Sequence, residues 1–171
     1  VLFSPFSLRG LTIDNRIMLS PLCQYSSVDG CMNDWQMTHL GMYSMSGASF
    51  VCFEMTDVEP EGRITYACSG LWNDDQEKAL SRVLAHCRKY GHAKYALQIA
   101  HAGRRGSRSA PFEGSKPISP ANGGWRTRAP SAIPEPDSKD VPHALTREEI
   151  KGLVEKFAGA TRRAARIGFD A

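Results

Sequence analysis

The side chains best suited to polar chemistry stand where apolar runs end. Ile17-Met18-Leu19 passes into Ser20-Pro21-Leu22-Cys23-Gln24-Tyr25, which sets a thiol and a phenol two residues apart. A second run, Tyr95-Ala96-Leu97-Gln98-Ile99-Ala100, carries a carboxamide in its middle and stops at His101-Ala102-Gly103-Arg104. The Tyr25 phenol can donate its hydrogen to a bound carbonyl oxygen, and the Gln98 carboxamide can both donate and accept. The Cys23 thiol need not be a nucleophile, because a polarisable sulfur can also act by weak hydrogen bonding.

Such groups work together only if strands deliver them to one end of a sheet, and the chain alternates in the manner that does so. Apolar runs at Ile17 to Ser20, Ser49 to Met55 and Tyr95 to Ala100 are each followed by a helical pattern, the signal for parallel strands joined by crossover helices. A fourth strand is expected to begin at Phe169. The best-marked helix follows the acidic turn Asn73-Asp74-Asp75-Gln76-Glu77, with Ala79, Leu80, Val83, Leu84 and Cys87 as its inward stripe and Gly91 as a left-handed stop. Thr146-Arg147-Glu148-Glu149 is a capping box that opens a helix with Ile150, Leu153, Val154, Phe157 and Ala158 inward and Gly168 at its close. A helix over about Asp34 to Met45 is predicted to turn Trp35, Leu40, Tyr43 and Met42 inward. Phe3 to Arg16 alternates around Gly10 as a hairpin would.

The chain has 171 residues, 42% hydrophobic and 23% charged, in the range of globular domains. A net charge of +3 is too mild to argue for a nucleic-acid partner. No apolar run approaches the ~20 residues that span a bilayer, and Val1 to Pro5 lacks a secretory pattern, so a cytoplasmic location is expected. Cysteines 23, 31, 52, 68 and 87 form neither a C-x-x-C pair nor a metal-spaced cluster.

The Ser20 to Tyr25 and Gln98 to Arg104 signatures, with Glu54-Met55-Thr56-Asp57-Val58 and Pro60-Glu61-Gly62-Arg63-Ile64 between them, resemble the flavin-dependent ene-reductases of the old yellow enzyme family, in its cysteine-containing branch. The resemblance runs the length of the chain. It implies an α/β fold, the (β/α)8 TIM barrel with an amino-terminal hairpin plug. It also implies FMN as cofactor, NADPH or NADH as transient reductant, an activated alkene as substrate, and a homo-oligomer at full length. By the same resemblance Ser20, Pro21, Leu22, Cys23, Met55 and Gln98 contact the flavin, Cys23 tunes it, and Tyr25 binds the substrate carbonyl. A complete barrel needs roughly 250 residues, so residues 1–171 are expected to be an incomplete amino-terminal part of one barrel domain, cut at the start of the fourth strand. The family's histidine pair and phosphate site would lie further on. The alternatives are another flavin barrel, of the NADH oxidase or dienoyl-CoA reductase kind, and a half-barrel that binds flavin or ligand without catalysis.

Other residues read more simply. His101 and His39 are expected to be structural, His86, His92 and His143 to lie on the surface, and Trp72 and Trp125 to pack. The connection from His101 to about Leu145 holds seven of the ten prolines. From Gly103 to Arg128 it carries six cations against Glu113 alone, so it is either a stiffened solvated loop or a lid that attracts a phosphorylated nicotinamide.

Overall fold

The structure, a computed structural model, describes residues 1–171. Strands β1 (Phe6–Leu8) and β2 (Leu11–Ile13) form the antiparallel hairpin, with Phe6 opposite Ile13 and Arg9 turned to φ 54°. After β3 (Met18–Leu19) comes helix α1 (Asp34–Ser44), then the long strand β4 (Phe50–Asp57). The short β5 (Ser69–Gly70) precedes α2 (Asp74–Tyr90), and β6 (Lys94–Ala100) follows it. The long connection contributes a two-residue parallel pair, β7 (Arg128–Ala129) and β8 (His143–Ala144), before α3 (Arg147–Ile167).

β4 is the centre of a parallel sheet. β6 pairs along one of its edges, while β3 pairs with its start and β5 with its end. Val51 and Phe53 of β4 and Tyr95, Leu97 and Ile99 of β6 pack outward against Leu80, Val83, Leu84 and Cys87 of α2. Leu97 and Ile99 are partly buried, and each of the fully buried side chains stabilises the fold by roughly 1.5–3 kcal/mol. The other sheet face therefore carries Cys52, Ala96 and Gln98, since side chains alternate. No helix is long and apolar enough to cross a membrane.

The capping box at Thr146 forms as the sequence marks it, accepting from the Glu149 amide, and the same arrangement opens α2 at Asn73 and α1 at Asn33. Gly168 closes α3 at φ 98°. Gly91, by contrast, is extended at φ −112°, and space rather than handedness demands it. A Cβ there would stand 2.5 Å from the Ser44 carbonyl oxygen and 2.7 Å from the Tyr95 hydroxyl.

Two expectations about helix faces are corrected. On α1, Trp35 and Met42 are exposed and the inward seam is Gln36, Leu40, Gly41 and Ser44, because Gln36 reaches a buried carboxylate at Glu54. On α3, Ile150 and Val154 are exposed. Its contact with the core is a narrow seam of Leu153, Phe157, Ala160 and Ala164, in which the alanines allow close approach. Where a fourth strand is expected, residues 169–171 begin to pair beside β6: the Asp170 amide donates to the Tyr95 carbonyl at 2.8 Å, the Leu97 amide donates to the Ala171 carbonyl at 3.1 Å, and the Phe169 ring meets Phe53 edge-on at 5.1 Å.

Candidate functional site

A break in strand register organises the site. Phe53 pairs with Leu97 and Thr56 with Ile99, so Glu54 and Met55 together oppose the single residue Gln98. This β-bulge bends the strand and re-aims its side chains, a recurrent device beside functional sites. Gln98 is exposed and its carboxamide has no protein partner. Met55, half-buried, lies next to it across the strand pair.

The segment leaving β3 runs past the same bulge. Ser20 and Leu22 are exposed, and Pro21, Cys23 and Tyr25 are half-buried. No turn or loop hydrogen bond uses the Leu22 or Cys23 amide. Burial pushes the Cys23 thiol up to about 12, helped by Cys68 and Glu54 nearby, and the facing Met55 main chain offsets only part of this. Cys23 is therefore a neutral thiol at physiological pH, a weak donor and not a thiolate nucleophile. Burial, with the adjoining Cys23 thiol, also pushes Tyr25 up to about 12, so its phenol keeps its hydrogen and can donate it.

Tyr25 adopts φ 50°, a conformation that a non-glycine residue holds only under external constraint. The constraint is visible on both sides. The Gln24 amide donates to Glu54 Oε2 at 2.6 Å, the Ser26 hydroxyl donates to the Gln24 carbonyl at 2.9 Å, and the Ser27 amide donates to the Ala67 carbonyl at 3.0 Å. Glu54 is 3% exposed. It meets only neutral donors, Gln36 Nε2 and Ser69 Oγ on Oε1 besides the Gln24 amide, and burial pushes its carboxyl above the usual range.

Two further carboxyls leave the end of β4. Asp57 is fully buried, neither of its oxygens has a partner, and burial raises it to about 8. Glu59 is 2% exposed and receives His101 Nε2 at 2.9 Å, Lys156 Nζ and, at 3.4 Å, Arg128. Burial alone would raise Glu59, but hydrogen bonds from His101 and Lys156 and the charges of Lys156 and Arg128 outweigh it and bring it to about 2.

His101 is a strut. Its Nδ1 accepts from the Gly103 amide at 2.9 Å, which leaves the hydrogen on Nε2 for Glu59. His39 meets Tyr43 edge-on, and His143 bonds to Glu149 at 2.8 Å. Trp72 and Trp125 pack with Tyr66 around the Arg63 guanidinium, 5.3–5.6 Å from its carbon. The arginines of the long connection are largely neutralised from outside the stretch that looked so basic: Arg104 by Glu135, Arg108 by Asp137 and Arg128 by Glu59. The charge-attracting lid is thereby weakened to Lys116 and Arg126, which have no ion-pair partner.

The structure thus brings Cys23, Tyr25, Met55 and Gln98 to one end of the sheet, with Ser20 to Leu22 alongside. Sequence reading quoted Glu54 and Asp57 inside a motif but gave them no task. A signal was present, since a carboxylate within an apolar strand covered on both faces must be paired or unusual. What the donor set suits is a flat ring rich in nitrogen and oxygen. A free carboxamide, unused main-chain amides and a neutral thiol match the edge of a flavin.

A parallel β/α sheet whose carboxyl end carries the polar groups defines this as the opening portion of a barrel-type α/β protein. The chain belongs to the NADH:flavin oxidoreductase / NADH oxidase family, whose model matches residues 1–171. It is 40% identical over 172 residues to an NADH:flavin oxidoreductase of Gibberella zeae, a match covering 98% of this chain and 41% of that protein. It is 36% identical to an NADPH dehydrogenase of Geobacillus thermodenitrificans, covering 99% of this chain and 46% of the relative. The solved old yellow enzyme homologue from Zymomonas mobilis superposes with a TM-score of 0.79 at 25% identity, over 99% of this chain and 46% of the other. The chain spans about half the length of the curated relatives it matches. The expected old yellow enzyme kinship and barrel fold hold.

Proposed function

We propose that the protein is an FMN-dependent ene-reductase that uses NAD(P)H to reduce the C=C bond of α,β-unsaturated carbonyl compounds. The observation that carries this reading is the meeting of Cys23, Tyr25, Met55 and Gln98 at the carboxyl end of β3, β4 and β6. Bound FMN would supply the hydride, replenished by the nicotinamide. Ser20, Pro21, Leu22 and Cys23 line one flank of that cofactor, Met55 bears on it through its main chain, and Gln98 offers donor and acceptor to the pyrimidine edge. Cys23, held as a neutral thiol, modulates the ring by weak hydrogen bonding without attacking it. Tyr25, which keeps its hydrogen, donates to the carbonyl oxygen as negative charge gathers there, a preorganised role suited to its constrained backbone. The names of the relatives favour a nicotinamide reductant, NADPH in one and NADH in another. A cytoplasmic location and assembly into homo-oligomers belong to the same proposal.

Turnover of 2-cyclohexenone with FMN and NADPH tests it. The parent should oxidise NADPH in step with loss of the enone, and Tyr25→Phe should lower kcat/KM about tenfold while retaining flavin, the effect of one hydrogen bond to a developing charge. Flavin retention with no enone-dependent oxidation would leave a binding protein and end the ene-reductase reading.

A further inference from the structure

Glu54 lies beneath the site, and its carboxylate hydrogen-bonds none of the side chains assigned to flavin or substrate. Its carboxylate nevertheless ties the segment that carries both to the strand that carries Met55. Oε2 accepts the amide of Gln24, the one residue between Cys23 and Tyr25, at 2.6 Å. Oε1 accepts Gln36 Nε2 and Ser69 Oγ, each at 3.3 Å, and these two are knitted together through Ser27 Oγ at 3.1 and 2.8 Å. The carboxylate thus has acceptors on both oxygens and donors facing both.

An amide cannot replace it. Gln36 is fixed in orientation because its Oε1 accepts the Asn33 amide in the α1 capping box, so its Nε2 must point at Glu54. A glutamine at position 54 would set one NH2 group against either the Gln24 amide or Gln36 Nε2. We infer that Glu54 is a positioning residue: by accepting the Gln24 amide it locks the left-handed Tyr25 and the half-buried Cys23 thiol in the register the site requires. The inference rests on the ene-reductase reading for its purpose, but its geometry can be tested without flavin.

The probe is alkylation of Cys23 by iodoacetamide in the flavin-free protein, followed by peptide mass spectrometry. Cys87, fully buried in the core, reports global opening. Glu54→Gln should speed Cys23 alkylation about tenfold with Cys87 unchanged, because losing a charge-assisted bond opens the loop locally. Ser69→Ala removes one donor from Oε1 and spares the Gln24 bond, so Cys23 should keep its parental rate. In flavin-loaded protein Glu54→Gln should also shift the visible flavin band, and Ser69→Ala should not. An unchanged Cys23 rate in Glu54→Gln, or Cys23 and Cys87 rising together, would overturn the inference. Because the alkylation arm needs neither cofactor nor turnover, a failed enone assay with accelerated Cys23 labelling would sink the ene-reductase reading alone.

Discussion

Glu54 and Glu59 leave the same strand five residues apart and are almost equally sealed from water, at 3% and 2% exposed, yet their carboxyls shift in opposite directions. Glu54 meets neutral donors only and is pushed up, while Glu59 meets Lys156, Arg128 and the His101 ring and falls to about 2. Asp57 between them has no hydrogen-bond partner, and burial lifts it to about 8 against the pull of the Arg63 charge. Desolvation is common to all three, so the partner decides the charge. The division is spatial as well. The cluster of charged partners joins the ends of β4 and β6 to β7 and α3, whereas the neutral donors around Glu54 lie under the thiol and phenol.

The sharpest way to break this contrast is Glu59→Gln. Leaving Lys156, Arg128 and His101 around a neutral amide should cost about 3–5 kcal/mol at pH 7, read from urea unfolding. Because Glu59 titrates lower folded than unfolded, its contribution is present above pH 4.5 and lost as pH falls toward 2, and parent and variant should converge over that window.

Asp57→Asn should act in the reverse sense. The folded Asp57 keeps a proton that the unfolded chain releases near pH 3.8, so parent stability falls as pH rises from about 4 to about 8. The variant should lose that slope and gain on the order of 2–4 kcal/mol at pH 7. A parent whose stability is flat across this range would show that Asp57 has found a partner.

Smaller effects sharpen the frame. Gly91→Ala should cost about 1–3 kcal/mol, since its Cβ must displace the Ser44 carbonyl. Asn73→Ala should cost about 1 kcal/mol through its cap alone, with no change in flavin properties. Thermal melts of the two variants check both values.

Much of this architecture could be read locally. The capping box at Thr146, the acidic start and inward stripe of α2 and the strand-then-helix alternation depend on residues within a few positions of one another, and they stand where the sequence marks them. What escaped depends on distant partners. The bulge at Glu54-Met55 exists only in the pairing with Gln98, and Trp35 faces out because Gln36 reaches Glu54 eighteen residues on. The apparent basic lid is balanced by Glu135 and Asp137, which lie outside the stretch counted, and by Glu59 from another strand. Tyr25 was legible as a residue but not as a strained one, since its φ of 50° is imposed by neighbours far along the chain.

The central claim is that the strand ends present one flavin-holding face, and Gln98 tests it most directly because its exposed carboxamide contributes no bond to the fold. In a fluorescence titration with FMN, Gln98→Ala should bind about tenfold more weakly than the parent, with an unchanged melting temperature. Equal affinity in the two proteins, or a parent that binds no FMN, would contradict the account.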